Sequence, residues 1–296
     1  MSVYSFVLKR MMNTPRSYKN LIAPEGIERF NNIQYGEDKK WNLLDLYYPK
    51  DRKTPSPVII NVHGGGWVTG DKECAQFYCM DMALRGFAVV NFSYRLAPRH
   101  KFPKQLEDTN NAVNWLLDNT EKYQLDKNAV FMIGDSAGAH ILGIYVNILT
   151  NKNYADNFTF TVPAGFAPNA VCLNCGVYDI EKELANDPRK MTKNLMHDFL
   201  GKPLNDKKVK LACVNEFMNE NFPPAFVLSA HGDFLLHQVP VMEKKLKELN
   251  IPYICKVYGT EENKLVHVFQ CNYWTEEAKI ANNEQAEFFR TYMEKK

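Results

Sequence analysis

The sequence predicts an α/β protein built on a doubly wound, mostly parallel sheet in a single domain. Three observations carry this. Short apolar runs alternate with longer helical patterns over most of the chain. Several runs, such as "PVIINV" at 57–62 and "AVFMIG" at 129–134, are continuously apolar and rich in Val and Ile, as strands covered on both faces are. The length of 296 residues, 45% hydrophobic and 24% charged, suffices for a sizeable core.

Taken in order, the runs at 43–48, 57–62, 87–94, 129–134, 170–175, 225–230 and 253–258 read as strands. The segment 33–48 has the look of a hairpin, so its first pairing is expected to be antiparallel. Helical patterns fall between the runs, over 72–84, 104–119, 137–149, 236–249 and 276–293, with Arg85-Gly86 and Asn250 as helix ends. Two segments stand outside the alternation. Residues 1–30 form a basic amphipathic stretch ahead of the sheet, and residues 178–222 form a polar, helical insertion between two strands. Ligands of such sheets bind beyond the carboxyl ends of the strands. An insertion leaving the strand at 170–175 is therefore placed to roof that crevice, and the two segments are expected to act as a cap.

A net charge of +2 gives no reason to expect nucleic acid, and "DKKVK" near residue 208 reads as a solvated helix face. The seven cysteines have no framework spacing. Cys172 and Cys175 form a lone C-x-x-C inside an apolar run and read as buried strand residues. Free thiols fit a reducing compartment. At the N-terminus a short apolar stretch precedes its basic residues, the wrong order for a secretory signal. No run approaches the ~20 apolar residues needed to span a bilayer. A cytoplasmic protein with no membrane partner is expected.

The chemistry concentrates in "GDSAG", Gly134 to Gly138. It matches G-x-S-x-G between an apolar strand and a helical pattern, the context in which a serine stands clear of the sheet on a sharp turn. Gly134 and Gly138 must then be small so that neighbouring backbones can approach, and the following helix points its N-terminal N–H groups at the site. "HGGGW", His63 to Trp67, follows directly on the strand at 57–62. Three consecutive glycines expose backbone N–H groups of the kind an oxyanion requires.

Together, "HGGGW" (63–67), "YRLAP" (94–98), "FP" with "LED" (102–108) and "GDSAG" (134–138) resemble the hormone-sensitive-lipase-like family of α/β-hydrolase serine esterases. The resemblance runs from about Val58 through His267. It implies oxyanion donors at the N–H groups of Gly65, Gly66 and Ala137, and a cap formed by the N-terminal segment and the insertion. It also implies homodimers paired through a sheet edge. The triad order in such folds is serine, acid, histidine. After Ser136 the acid is Asp233, just past the strand at 225–230. His231 ends its strand too early and His237 falls in the next helix, so His267, in a loop after the final strand, is the base. His63 braces the glycine loop, His140 is a packed residue, and His100 and His197 belong to loops or surface. No metal or other cofactor is expected.

The chain departs from the family where Asp-Pro-Leu is expected and Asp233-Phe234-Leu235 stands, and where His-Gly-Phe is expected and His267-Val268-Phe269 stands. Phe234 and Val268 flank the acid and base, and with Trp67 they are candidate substrate contacts. The expected activity is hydrolysis of short-acyl esters, acetyl to butyryl, including deacetylation of sugar or xenobiotic esters. An amidase or arylformamidase of the same fold is the alternative. A binding module like the plant gibberellin receptors is a remote third, since those lack the catalytic histidine that this chain retains.

Overall fold

The computed structural model describes residues 1–13, 22–52, 54–188 and 190–293. Eight strands, β1 (Ile27–Gln34), β2 (Leu43–Pro49), β3 (Ser56–Val62), β4 (Ala88–Phe92), β5 (Leu125–Asp135), β6 (Val171–Asn174), β7 (Ala225–Ala230) and β8 (Tyr253–Tyr258), form one sheet in the order β1-β2-β4-β3-β5-β6-β7-β8. β2 runs antiparallel to both β1 and β4, and every later pairing is parallel.

The period of two along each strand sorts its side chains into two cores. Val58, Ile60 and Val62 of β3 join Val130, Met132, Leu173 and Val227 on one face. Helices Lys104–Asp118, Ala137–Thr150 and Val239–Glu248 cover that face through Val113, Ile144 and Met242. Ile59, Phe131, Cys172 and Phe226 point the other way, toward Tyr78 of helix Lys72–Ala83 and Phe289 of helix Glu276–Thr291. This two-sided burial is why the strands read as unbroken apolar runs.

Helix Ala137–Thr150 is buried from Ala137 through Ile148. A helix apolar on all sides must be covered on all sides. Here the sheet lies below it and the insertion lies outside it. A Cβ on Gly143 would stand 2.7 Å from Val214 Cγ1, and Asn147 donates its side-chain N–H to Val214 O (2.8 Å). The insertion itself folds into helices Ile180–Ala185, Met191–Leu200, Asp206–Leu211 and Val214–Phe217.

Two expectations change. Residues 27–30, assigned to the cap, belong to the edge strand β1. Its residues are exposed along most of their length, so "IERFNNIQ" lacks a strand's apolar signal, and a register irregularity between Phe30 and Ile33 breaks its alternation. Of the N-terminal cap there remains the helix Val3–Asn13, while residues 14–21 lie outside the described residues. The helix expected over 236–249 is a 3-10 turn, Leu236–Gln238, followed by an α-helix that starts at Val239 with Pro240 in its first turn, where a missing N–H costs nothing. His197 is a half-buried surface residue of helix Met191–Leu200. Among the described residues the cysteines are free, and no helix is long and apolar enough to cross a membrane.

Ile60 sits at the centre of the sheet with no exposed surface. Ile60→Ala removes three buried carbons and is expected to lower stability by about 2–5 kcal/mol in urea titration.

Candidate active site

The site forms where β3 and β5, neighbours in the sheet, both end. β5 runs into Ser136, whose φ of 53° and ψ of −119° lie outside the regions an L-residue prefers. The turn is held by close backbone approach. A Cβ on Gly134 would stand 2.7 Å from the carbonyl of Gly138, and one on Gly138 would stand 2.0 Å from Val62 O. The N–H of Ser136 donates to Asn174 O at the end of β6 (2.8 Å). Ala137, the first helical residue, has no intrahelical acceptor for its N–H.

The glycine loop lies alongside. Asp135 turns its carboxylate under it and accepts the N–H of Gly64 (3.1 Å). Burial raises the Asp135 carboxyl to about 6, against the pull of His267 and the Gly64 N–H. Gly65 (φ 122°) could carry no Cβ, which would meet Thr69 O at 2.0 Å, and Gly66 takes a left-handed φ of 57°. His63 stacks on Tyr94 at 4.1 Å, its Nδ1–H donates to Gly64 O (2.7 Å), and Tyr94 Oη donates to His63 O (2.8 Å). This is the brace expected of His63.

The acid and base arrive from the far half of the sheet on loops tied together one residue before each. Gly232 bridges Val266 beyond the strand ends, and its N–H donates to Leu265 O (2.9 Å). Any Cβ there would stand 2.6 Å from that oxygen. The bridge delivers Asp233 and His267 side by side. His267 Nδ1 lies 2.6 Å from Asp233 Oδ1, and His267 Nε2 lies 2.9 Å from Ser136 Oγ. Asp233 also accepts the Ser229 hydroxyl (2.8 Å) and the Leu235 N–H (2.9 Å). Burial pushes the Asp233 carboxyl up, but its bond to His267, the imidazole's charge and these two donors together hold it below the ordinary value. An ionised Asp233 fixes Nδ1 as the protonated nitrogen of His267, so Nε2 offers its lone pair to the serine hydroxyl.

Other candidates fall into place differently. Trp67 is buried. Its ring stacks on Phe199 of the cap at 5.0 Å, and its Nε1–H donates to His140 Nδ1 (3.1 Å). His140 then donates Nε2–H to Ala212 O of the cap (2.7 Å). Burial drives the imidazole down to about 4, so this histidine is a neutral strut, packed as expected. Phe234 is 60% exposed, its ring 4.3 Å from that of His267. Val268, half-buried, takes a left-handed φ of 54°. "YRLAP" and "LED" meet as a clamp. Arg95 holds the buried Asp108 through one guanidinium edge, Nη2 and Nε donating to its two oxygens (2.7 and 2.9 Å), and Ala97 N–H donates to Trp67 O (3.0 Å). Leu8 of helix Val3–Asn13 and Leu195 of helix Met191–Leu200 lie over the loop, within 2.8 and 4.0 Å of where a Gly66 Cβ would stand.

Cys175 was missed. It lies one residue past β6 with a φ of 49°, its Sγ accepts the Val268 N–H (3.4 Å), and burial raises its thiol pKa. Its sulfur, Asp233 and His267 bring donor atoms within 4.8 Å of one another, a grouping that sequence spacing did not show. A thiol kept protonated by burial is a poor metal ligand. Its position at a strand's carboxyl end, two strands' width from the glycine loop, was the signal that could have found it.

The fold and the serine turn define an α/β-hydrolase. The family model of BD-FAE matches residues 44–261, most of the chain, and the chain belongs to that family. It is 35% identical over 111 residues to Esterase LipC of Mycobacterium tuberculosis, covering 37% of this chain and 27% of that protein. It is 27% identical over 191 residues to kynurenine formamidase of Drosophila melanogaster, covering 64% and 59%. The chain thus spans about a quarter of LipC and under two thirds of the formamidase. Among solved structures, Esterase B of Lactobacillus rhamnosis superposes with a TM-score of 0.85 at 23% identity, over 98% of this chain and 91% of that one. That enzyme inhibited with a tributyrin phosphonate superposes with the same TM-score and identity, over 98% of this chain and 92% of that one.

Because its folded pKa of about 6 lies above the ordinary 3.8, Asp135 takes up a proton on folding between those values. Its contribution to stability is present below 3.8 and lost as the pH rises through about 6. The stability of wild type relative to Asp135→Asn should therefore fall across that window in urea titrations, and a constant difference would exclude a raised pKa.

Proposed function

We propose that the chain is a serine hydrolase of short-acyl carboxylic esters. The observation that carries this is the continuous line Asp233–His267–Ser136, ending at a strained serine at the start of helix Ala137–Thr150. His267 Nε2 takes the proton of Ser136 Oγ as the oxygen attacks the ester carbonyl, and Asp233 steadies the imidazolium that forms. The N–H groups of Gly65, Gly66 and Ala137 receive the oxyanion. His267 then passes the proton to the departing alkoxide, leaving an acyl-serine that water hydrolyses by the same steps. The route needs no metal or cofactor.

Several features support short acyl groups. Leu8 and Leu195 close down on Gly66, leaving little depth above the oxyanion loop, and the cap segment is largely polar. Phe234, exposed against His267, offers an apolar face to a small acyl or alcohol group. Residues 3–13 and 178–222 together act as the cap. The phosphonate-inhibited Esterase B supports the same chemistry at a shared fold. Acetylated sugars or xenobiotics are candidate substrates. The Drosophila kynurenine formamidase favours a second outcome, cleavage of an N-formyl arylamine at the same serine. A homodimer paired through a sheet edge and a cytoplasmic location complete the proposal.

Hydrolysis of a chromogenic series from acetyl to decanoyl tests it. Wild type should cleave acetyl and butyryl esters fastest, and Ser136→Ala should lower kcat by ~10⁴ or more. A folded wild type inert on every ester but active on an aryl formamide would replace the esterase with the formamidase.

A further inference from the structure

A second cavity, of about 830 Å³, opens on the cap side between helix Val3–Asn13, the loop at 96–101 and the end of helix Met191–Leu200. Its cationic lining is Lys9, Lys40, Arg99, Lys101 and Lys202, brought in from four separate stretches of the chain. None of the five forms an ion pair among the described residues, although Lys40 rests over the Trp41 ring at 5.0 Å. One carboxylate, Asp198, lies on the lining itself and is held there by other groups, and Asp38 is engaged in its own turn. Asp198 accepts the N–H of Ser2 and the hydroxyl of Ser5, both at 2.6 Å, and lies near the Met1 amine (3.7 Å). Asp38 accepts the N–H groups of Lys40 and Trp41 within its own turn (2.9 and 3.0 Å). The undescribed segment 14–21 contains no acid in its sequence.

We infer that this cavity binds a small polyanion, a molecule carrying phosphate or several carboxylate groups. Like charges gathered in one concavity repel one another unless a ligand neutralises them. Both imidazoles on the lining feel that field. Burial lowers His100, and the charges of Arg95 and Arg99 lower it further, while burial, Lys202 and Lys193 lower His197. The volume fits a small molecule rather than a single halide ion. An arginine fork beside several lysine point charges matches phosphate and carboxylate oxygens. A chain of net charge +2 that gathers five cations in one hollow is not presenting a broad basic face to a nucleic acid or a membrane.

The cavity backs onto the oxyanion loop. Lys9 follows Leu8, and Asn194 precedes Leu195, the two leucines over Gly66. An anion bridging Lys9 to Arg99 and Lys202 ties the N-terminal helix to the cap at the point where both cover the site. The anion is either a remote group of the substrate or a free molecule.

Calorimetric titration of the full chain with inorganic pyrophosphate at low ionic strength tests this without reference to hydrolysis. Wild type should bind saturably and more weakly as salt is added. Arg99→Gln with Lys202→Gln, both at exposed side chains, should weaken binding by about tenfold or more. A control pair of exposed lysines remote from the cavity, Lys244→Gln with Lys279→Gln, should change it by less than about twofold. Absence of saturable binding in wild type, or equal weakening by both pairs, overturns the proposal and leaves an adventitious ion only. Where binding holds, a neutral acetyl ester separates the sources. Competitive inhibition by pyrophosphate, with KM raised and kcat unchanged, assigns the cavity to the substrate's own anionic group, and any non-competitive response, including none, assigns it to a free anion, the site standing in either case.

Discussion

The structure turns on one steric constraint, the contact between Gly138 at the start of the serine's helix and Val62 at the end of β3. With a Cβ's position 2.0 Å from Val62 O, only glycine lets the helix come that close to the neighbouring strand. That closeness brings the serine turn and the glycine loop together, because β3 and β5 are paired directly in the sheet. Ser136 then holds a backbone conformation that costs about 1–3 kcal/mol, stored where a nucleophile must be exposed. Larger side chains at Gly134, Gly138 or Gly65 would move one wall of the site relative to another.

A second set of contacts carries that arrangement outward to the cap. The indole N–H of Trp67, the neutral imidazole of His140 and the carbonyl of Ala212 form a buried line from the glycine loop to the insertion. Arg95 and Asp108 hold the loop that supports Trp67 from behind. Motifs that look like binding elements in the sequence are thus partly structural. Within "HGGGW" and "YRLAP", His63, Trp67, Tyr94 and Ala97 fix the glycine loop at the end of β3. On the opposite side, the Gly232–Val266 bridge does the same for the acid and base.

Ser136, Asp233 and His267 were legible in the sequence because each stands at a strand end marked by local pattern, and topology alone orders them. The seven strands with continuous apolar runs were legible for the same reason. β1 was not, since an edge strand exposed on most positions needs no apolar residues, and its Asn32 makes the irregular turn by accepting a left-handed φ and donating its N–H to Asp45 (2.8 Å). The packing of Trp67 is not legible in the sequence, because it depends on Phe199 and His140, more than seventy residues further along the chain. Cys175, Ser229 and Asp135 gained significance only from contacts across loops, which no short window of sequence contains.

The central claim is that Ser136 is a nucleophile activated by the Asp233–His267 pair. Its most direct test is to treat wild type and His267→Ala with a fluorophosphonate and locate the adduct by peptide mass spectrometry. The expected result is one adduct per wild-type chain, on Ser136, formed at least ~10³ times faster than in the variant. Labelling at another residue, or equal rates in the two proteins, would contradict it.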